Sequence, residues 1–451
     1  MTTVRPAAGP PREYHFPKFE VRLLSNGMRV IIAPVPKLPV VTVLAVIDAT
    51  AVTDPSGKEG LAELTAKALR DGTADIDGSR LTLELEKLGT SLEAGADWDS
   101  TVVSMTVLRE KLDRAFPLFG EVIKAPAFRA EDIERLRAER LAERLQIIDE
   151  PRGLAEESFA RFLYAGGSRY AEPMSGTSKS ARAITRDDVV EFHAANYQPD
   201  SSTLIMVGDL TVDEGVRLVE KAFNSWKGQR TSKQVKADTP SRTSQGSQIV
   251  SKPDAAQSEL RIGHVGVPRT HPEYFPIVVM NAVLGGLFSS RINLNLREVH
   301  GYTYGASSYY DWRRQAGPFV ISTAVQTEVT GNAISETLSE IDRMRTDEIE
   351  EDELTLATSY LEGVFPIRYE TTAAIAAALA NMVTFKLPED YYDTYRSRIG
   401  AVSTTDVLKA AQSHVRRDQL QVVVVGNVEL LKSQLEAKQL GPLSVLDTVE
   451  P

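Results

Sequence analysis

The six histidines are the first side chains to consider for metal chemistry. A helical pair of zinc ligands on one face requires a spacing of four residues, and no two histidines are four apart, so H-E-x-x-H and H-x-x-E-H are both absent. Isolated histidines are more often surface or hydrogen-bonded structural residues than ligands. The chain also has no cysteine, which excludes thiolate zinc sites and cysteine nucleophiles. We therefore predict no metal or other cofactor in this chain, and no ligand role for His15, His193, His264, His271, His300 or His414.

The stretch from Gly60 to Thr73, GLAELTAKALRDGT, resembles the active-site helix of the pitrilysin/insulinase peptidase family. Active members of that family read Gly-Leu-Ala-His-x-x-Glu-His, followed shortly by Gly-Thr. The resemblance puts Glu63 and Lys67 at the two histidine ligands and Ala66 at the general-base glutamate. It implies a degenerate motif, because Lys67 brings a positive charge to the metal position. Without the resemblance, Glu63 and Lys67 are an i,i+4 pair that stabilises a helix by roughly 0.2–0.5 kcal/mol.

Glu143 is the candidate for the third ligand position of this family. The resemblance implies a glutamate in a downstream helix, about eight residues before a proline, and Glu143 stands eight residues before Pro151. Alone it binds no metal. A carboxylate on an amphipathic helix is usually only a partner of solvent, and that reading of Glu143 stays open.

The second half of the chain resembles the family more closely. Residues Leu260 to Tyr310 contain the turn GGLFSSR and the motif LREVHGYTY. The resemblance implies that Arg297 and Tyr304 reach the active site of an opposite half and hold the substrate. A fixed guanidinium and a phenol suit this role, because peptide hydrolysis builds an oxyanion on the scissile carbonyl. The alternatives are a surface ion pair for Arg297 and a core aromatic with a satisfied hydroxyl for Tyr304.

Residues Leu260 to His264, LRIGH, alternate like a strand. In the family, an edge strand beside the active site pairs with extended substrate, since an exposed sheet edge is a natural peptide dock. LRIGH is a candidate for such a docking strand, and the alternative is that it is simply a sheet edge.

Strand and helix signals alternate through the first half. Val21 to Pro34 is predicted to be a hairpin around the Asn26-Gly27 turn, and the β-branched run Val40 to Ala49 a buried strand. Helical spacing follows at residues 60–69, 79–88, 110–124 and 130–148, with alternating strand pattern at 91–107.

An internal repeat with an offset of about 218 residues indicates a duplicated domain. Ile184 to Leu210 and Val402 to Val428 both predict a capped helix followed by an apolar strand, and Asp187 is matched with Asp406. The segment between the halves is rich in Ser, Thr, Gln and Lys and predicts a linker. We predict an N-terminal arm (1–15), a first half (16–226), a linker (227–250) and a second half (251–451). Each half mixes strands and helices, so the predicted class is α+β, with duplicated pitrilysin-like halves that each pack a mixed or antiparallel sheet against helices.

Composition excludes some partners. The 51 basic and 62 acidic residues give a net charge of −11, which works against binding a phosphate backbone, so we expect no nucleic acid. No apolar run reaches the roughly 18 residues of a membrane helix, so we expect no membrane. The first residues lack the apolar stretch of a signal peptide, and the absence of cysteine is compatible with both periplasm and cytoplasm.

The resemblance is to bacterial two-subunit members and to mitochondrial processing peptidase alpha-type subunits. It implies an inactive subunit of a heterodimeric zinc peptidase, which supplies Arg297 and Tyr304 to a homologous zinc-bearing partner acting on unfolded peptides. The isolated chain is then expected to bind no zinc, to cleave nothing, and to be able to form a homodimer. Two alternatives remain: a non-catalytic scaffold, as in the core proteins of respiratory complexes, and a peptide-binding clamp.

Overall fold

Two six-stranded sheets carry the architecture of this chain. The structure is a computed structural model that describes residues 13–164, 167–232 and 241–447. Within these ranges the elements of the first half, in chain order, are β1 (Glu20–Leu23), β2 (Arg29–Pro34), β3 (Val40–Ile47), α1 (Leu61–Ala68), α2 (Gly78–Lys87), β4 (Glu93–Ala96), β5 (Thr101–Leu108), α3 (Leu112–Lys124), α4 (Ala130–Asp149), α5 (Pro151–Leu163), α6 (Ser178–Ala183), α7 (Arg186–Asn196), β6 (Ser202–Gly208) and α8 (Val212–Phe223).

The second half follows a similar order of elements. It comprises β7 (Gly246–Ser251), β8 (Ser258–Val265), α9 (Tyr274–Asn281), the one-turn α10 (Arg291–Asn293), β9 (Ala306–Tyr310), β10 (Pro318–Val325), α11 (Thr330–Thr346), α12 (Glu351–Arg368), α13 (Thr372–Thr384), α14 (Tyr391–Gly400), α15 (Thr404–His414), β11 (Gln421–Gly426), α16 (Val428–Glu436) and β12 (Leu443–Leu446). The predicted hairpin, the buried strand and the predicted helices of the first half are all present, with ends that differ by a few residues.

The two sheets have the same internal topology. The strand orders are β1-β2-β6-β3-β5-β4 and β12-β7-β11-β8-β10-β9. In each sheet the second and third strands of this order are parallel, and the following neighbours are antiparallel. The outer strands differ, because β1 is antiparallel to β2 whereas β12 is parallel to β7. The matching topology confirms the duplication and the α+β class that the sequence predicts.

The repeated sequence segments form equivalent capped helices. Thr185 begins α7 and Ser403 begins α15, each through a reciprocal capping box in which the third helical residue, Asp188 or Asp406, bonds back to the cap. The predicted match of Asp187 with Asp406 is therefore wrong by one residue. Asp188 is the equivalent, because the capping geometry fixes the side chain three residues after the cap.

The predicted linker, residues 227–250, extends too far at its C-terminal end. β7 begins at Gly246 and is parallel to both β11 and β12. Its sequence, GSQIVS, is largely polar, yet Ile249 and Val250 are fully buried because neighbouring elements cover both faces. The sheet of the second half therefore begins before residue 251. Residues 233–240 of the predicted linker lie outside the described residues.

The candidate peptide-docking strand LRIGH lies in the interior of its sheet. It is part of β8, which is hydrogen-bonded to β10 on one side and to β11 on the other. Both edges are therefore occupied, and the candidate role is wrong for this strand. Alternation alone could not reveal this, because a strand's neighbours are set by the tertiary fold. In the described part of the chain β4 is a sheet edge, and it contacts α1.

The halves exchange helices across their boundary. α13 of the second half packs on β3 and β6 of the first sheet, whereas α5 of the first half packs on β11 and β8 of the second sheet. One apolar core accordingly contains Ile31 and Ile205 of the first sheet together with Ile262 and Leu379 of the second half. The halves are joined by shared cores as well as by the linker.

One described segment, residues 274–299, has the length and composition of a membrane-crossing helix. It is 26 residues long, and its most apolar 18-residue window has a mean hydropathy of 1.5, with 56% of that window buried inside the protein. Burial of this extent is typical of a core helix, and a core helix can have the same length and apolar composition as a membrane-crossing one. The segment is also interrupted by a turn that includes Phe288.

Candidate functional site

The N-terminus of α1 is fixed by Gly60 and Asp54. Gly60 has φ +96°, and a Cβ at this position would lie 2.4 Å from the Ser175 carbonyl oxygen, so only glycine allows this close approach. The buried Asp54 carboxylate accepts hydrogen bonds from the backbone N–H groups of Gly60 (2.8 Å) and Ala62 (2.9 Å). Burial raises the Asp54 pKa to about 6, against the lowering effect of Arg169, whose guanidinium lies 3.0 Å away. These contacts set where the α1 side chains point.

Lys67 lies between two carboxylates. Its Nζ is 3.1 Å from Glu63 Oε1, one turn earlier on α1, and 3.6 Å from Glu143 Oε2 on α4. Glu63 is the more buried acid, with 16% of its side chain exposed against 45% for Glu143. The structure therefore brings together the three residues that the resemblance placed at ligand positions, although Glu63 and Glu143 are far apart in the sequence.

Arg140 joins this cluster from α4. Its Nη1 donates to Glu143 Oε2 (3.0 Å), and its Nε donates to the Ser175 carbonyl (2.9 Å). With Arg140, the cluster balances two cations against two anions. Glu63, Lys67 and Arg140 also line a cavity of about 20 Å³, which has room for about one water molecule. Sequence analysis missed Arg140, although its i,i+3 spacing from Glu143 was a usable signal.

The cluster does not fit a zinc ion. Zinc is bound by neutral imidazole, thiolate or carboxylate, and here the Lys67 ammonium already sits within reach of both carboxylates. A second cation would have to displace it against charge repulsion. Ala66 is fully buried and carries no group that could accept a proton from water. The arrangement is an ion-pair network that holds α1 to α4.

Replacing Lys67 tests this structural role. We expect Lys67→Met to lower the free energy of unfolding by about 1–3 kcal/mol, because the largely buried Glu63 carboxylate loses its partner. Adding Glu63→Gln should recover most of the loss. Lys87→Met, which removes an exposed pair with Glu84, should change stability by less than about 0.5 kcal/mol. Urea unfolding of the wild type and the three variants measures these differences, and an unchanged Lys67→Met variant would contradict the network.

Arg297 lies in a π-helical segment, Leu294–Val299, directly after α10. Such segments are frequent at functional sites. Its guanidinium stacks on Phe288, with the central carbon 4.6 Å from the ring centroid, and its Nε is 3.5 Å from Glu298 Oε1. The neighbouring ion pair that the alternative reading anticipated is thus present, but weak by distance. Phe288, which belongs to the GGLFSSR turn, orients the guanidinium and was not singled out from the sequence.

Tyr304 is 92% exposed, which contradicts its alternative reading as a core aromatic. Phe288 and Val299, in the same two motifs, are each 73% exposed. Asn293 supports this surface from below: its Nδ2 donates to the Phe288 carbonyl (2.6 Å), and its Oδ1 accepts from the Ala306 N–H (3.0 Å). Large exposed apolar side chains in the two motifs, one of which also contains Arg297, are typical of a contact surface.

The two sets of candidate residues are not joined within one chain. Among the described residues, no hydrogen bond or ion pair connects Arg297 or Tyr304 with Glu63, Lys67 or Glu143. In the matched turn, Arg291 forms a two-point ion pair with Glu353 of α12 (2.7 and 2.6 Å), so it is structural. Tyr304 is exposed and Arg297 is partly exposed, with 34% of its side chain accessible.

Sequence models of one peptidase family match both halves of the chain. The model described as Insulinase (Peptidase family M16) matches residues 29–173, and the one described as Peptidase M16 inactive domain matches residues 183–361. Together they span most of the chain. It belongs to the M16 peptidase family. This confirms the resemblance to pitrilysin/insulinase peptidases, and this M16 member lacks the family's zinc-binding motif in its own first half.

Related proteins are named either as proteases or as non-peptidase homologues. The chain is 23% identical to an "Uncharacterized zinc protease" of Rickettsia bellii, over 79% of this chain and 85% of that protein. It is 24% identical to the "Non-peptidase homolog YmxG" of Helicobacter pylori, over 82% of this chain and 84% of that protein. A probable mitochondrial-processing peptidase subunit beta of Schizosaccharomyces pombe is 22% identical over 92% of both chains. The last relative is named a beta subunit, whereas the degenerate zinc motif of this chain resembles alpha-type subunits.

A solved structure has the same fold as this chain, and the match covers almost all of both chains. The crystal structure of a peptidase M16 inactive domain from Pseudomonas fluorescens superposes with a TM-score of 0.85 at 25% identity, covering 91% of this chain and 98% of that one. The names of this structure and of the non-peptidase relative are consistent with the absence of zinc ligands around Lys67 in this chain.

Proposed function

We propose that this chain is the non-zinc subunit of a two-subunit M16 peptidase. In this proposal it offers Arg297 and Tyr304 to the active site of a homologous partner that carries H-x-x-E-H and the zinc. The substrate is an unfolded peptide held between the two bodies. The processing-peptidase relative, which is named as a subunit, supports a two-chain arrangement.

The contrast between the two halves carries the proposal. In the first half the ligand positions are filled by an internally balanced ion-pair network around Lys67. In the second half the ring of Tyr304 packs little against the rest of the chain, because 92% of its surface is exposed. A purely structural role gives no reason for a 92% exposed tyrosine in the same motif as the stacked Arg297, since large exposed apolar groups usually mark interaction sites.

The chemistry assigned to the pair is substrate positioning and charge stabilisation. The Arg297 guanidinium is permanently charged and presents fixed N–H donors, which suits a peptide carbonyl or a developing oxyanion. The Tyr304 hydroxyl adds one neutral donor on a rigid ring. Neither group attacks the peptide bond, so the nucleophilic water and its activation belong to the partner.

Reconstitution with a partner tests the proposal. The chain is mixed with the H-x-x-E-H homologue of the same organism, and cleavage of an unstructured fluorogenic peptide is followed. We expect cleavage by the mixture and by neither chain alone, with the two proteins co-eluting in size-exclusion chromatography. A mixture containing a partner with its H-x-x-E-H glutamate replaced by Gln is the inactive control. Cleavage that is independent of this chain would contradict the proposal and favour a scaffold.

A peptide-binding clamp is a second candidate, favoured by the sheet edge next to α1. β4 is paired with β5 and contacts α1, and an available edge can accept an extended peptide. A clamp would bind a labelled unfolded peptide without any partner, as measured by fluorescence anisotropy. The two-subunit proposal expects such binding to be much tighter in the reconstituted pair.

A further inference from the structure

A cluster in the second half combines two imidazoles and a carboxylate. His271, Glu273 and His414 each offer one ligand atom, and these atoms all lie within 4.8 Å of one another. We propose that this cluster binds a divalent transition-metal ion, with zinc as the best-suited species. The site is separate from the degenerate motif on α1 and does not depend on the proposed function, and it departs from the sequence-based expectation that the chain binds no zinc.

Two packed helices position the three side chains. Glu273 is the residue immediately before α9, and His271 lies in the turn that precedes it, where the His271 N–H donates to the Pro268 carbonyl (3.0 Å). His414 is the last residue of α15, which packs against α9. The His414 carbonyl accepts a hydrogen bond from the buried Tyr310 hydroxyl (3.0 Å). The ligand-bearing backbone is therefore held by contacts that do not involve the imidazole rings.

The available atoms suit a metal with an open coordination position. His414 Nε2 and Glu273 Oε2 are 2.6 Å apart, so they already point at one another. The His271 ring meets the His414 ring edge-on, with centroids 4.8 Å apart, and its Nδ1 accepts from the Glu273 N–H (3.2 Å). A nitrogen that accepts a hydrogen bond is unprotonated, so Nδ1 carries the lone pair of neutral His271 and would exchange this long bond for the metal. Two histidines and one glutamate are a frequent zinc ligand set, completed by water.

Burial and charge also favour a cation here. His414 is buried while His271 and Glu273 face solvent, so an ion could enter from outside and keep a water ligand. The C-terminal end of α15 contributes a partial negative charge next to His414. Without a metal, the same geometry is a hydrogen bond between α9 and α15 with His271 beside it.

Metal titration of the full chain distinguishes these two readings. The protein, without a histidine tag and stripped with a chelator, is titrated with ZnCl₂ by calorimetry and with CoCl₂ by visible absorption. We expect one ion per chain and a tetrahedral-type cobalt spectrum. His271→Ala and Glu273→Gln should each weaken zinc binding at least about 10-fold. His271 is only partly buried, so its replacement should leave the fold intact, which circular dichroism checks.

Two controls keep the result separate from the first half. His15→Ala removes an exposed histidine that pairs with Glu13 (3.0 Å), and it should bind zinc like the wild type. Glu143→Gln should also leave the affinity unchanged. No binding at about 100 µM zinc, or equal affinity in His271→Ala, would overturn the proposed site. Zinc that is lost on Glu143→Gln but kept in His271→Ala would lie in the first half, and it would contradict the proposed function as well as the proposed site.

Discussion

Restoring the three missing groups on α1 should create a zinc site in the first half. We expect the variant Glu63→His, Ala66→Glu, Lys67→His to bind one zinc ion with a dissociation constant below about 1 µM, which corresponds to more than about 8 kcal/mol. The substitutions remove the Lys67 ammonium and supply two imidazoles. Glu143 already lies within 3.6 Å of the position of the Lys67 amine, so it is placed to be the third ligand.

The measurement is made in a His271→Ala background, so that only the first-half site is counted. Calorimetric titration and metal analysis after dialysis give the affinity and the stoichiometry. Adding Glu143→Gln should weaken binding by at least about 10-fold. Buried Ala66 limits the design, since a glutamate there must find space. The variant Glu63→His, Lys67→His without the new glutamate keeps the test valid if the triple variant is unstable. A folded variant that binds no zinc would show that the motif has been matched to the wrong positions.

Removing the Arg297 guanidinium should abolish most of the activity of the reconstituted pair. We expect Arg297→Ala to lower kcat by about 100- to 1,000-fold, or roughly 2.7–4 kcal/mol of transition-state stabilisation, if the side chain contacts the developing oxyanion. The two subunits should still co-elute. Peptide cleavage under single-turnover conditions separates an effect on chemistry from an effect on binding.

Matched variants show whether the effect is specific. Arg417→Ala also removes one positive charge from the second half, from a solvent-exposed pair with Asp342 (3.1 Å), and it should leave kcat unchanged. Tyr304→Phe removes a single hydroxyl from an exposed ring and should have a smaller effect than Arg297→Ala. If Arg297→Ala is fully active in an intact complex, Arg297 has no role in the substrate site.

Local sequence determined much of the fold. The Asn26-Gly27 turn, the β-branched run of β3 and the amphipathic helices follow from short-range preferences, and the structure has them where they were predicted. The repeat predicted duplication because equivalent cores need equivalent apolar patterns. Strand neighbours did not follow in the same way. The LRIGH segment looks like any alternating strand, and only its partners on both sides exclude a docking role.

The candidate site shows the same difference between what local sequence determines and what long-range packing determines. The sequence by itself determined that the α1 motif lacks zinc ligands, and the Glu63–Lys67 pair follows from helical spacing alone. Only the tertiary structure brought Glu143 and Arg140 to that pair, exposed Tyr304, and placed His271 beside His414. The physical reason is that contacts between distant segments depend on which helices and strands pack together, a property of the whole core that no short stretch of sequence encodes.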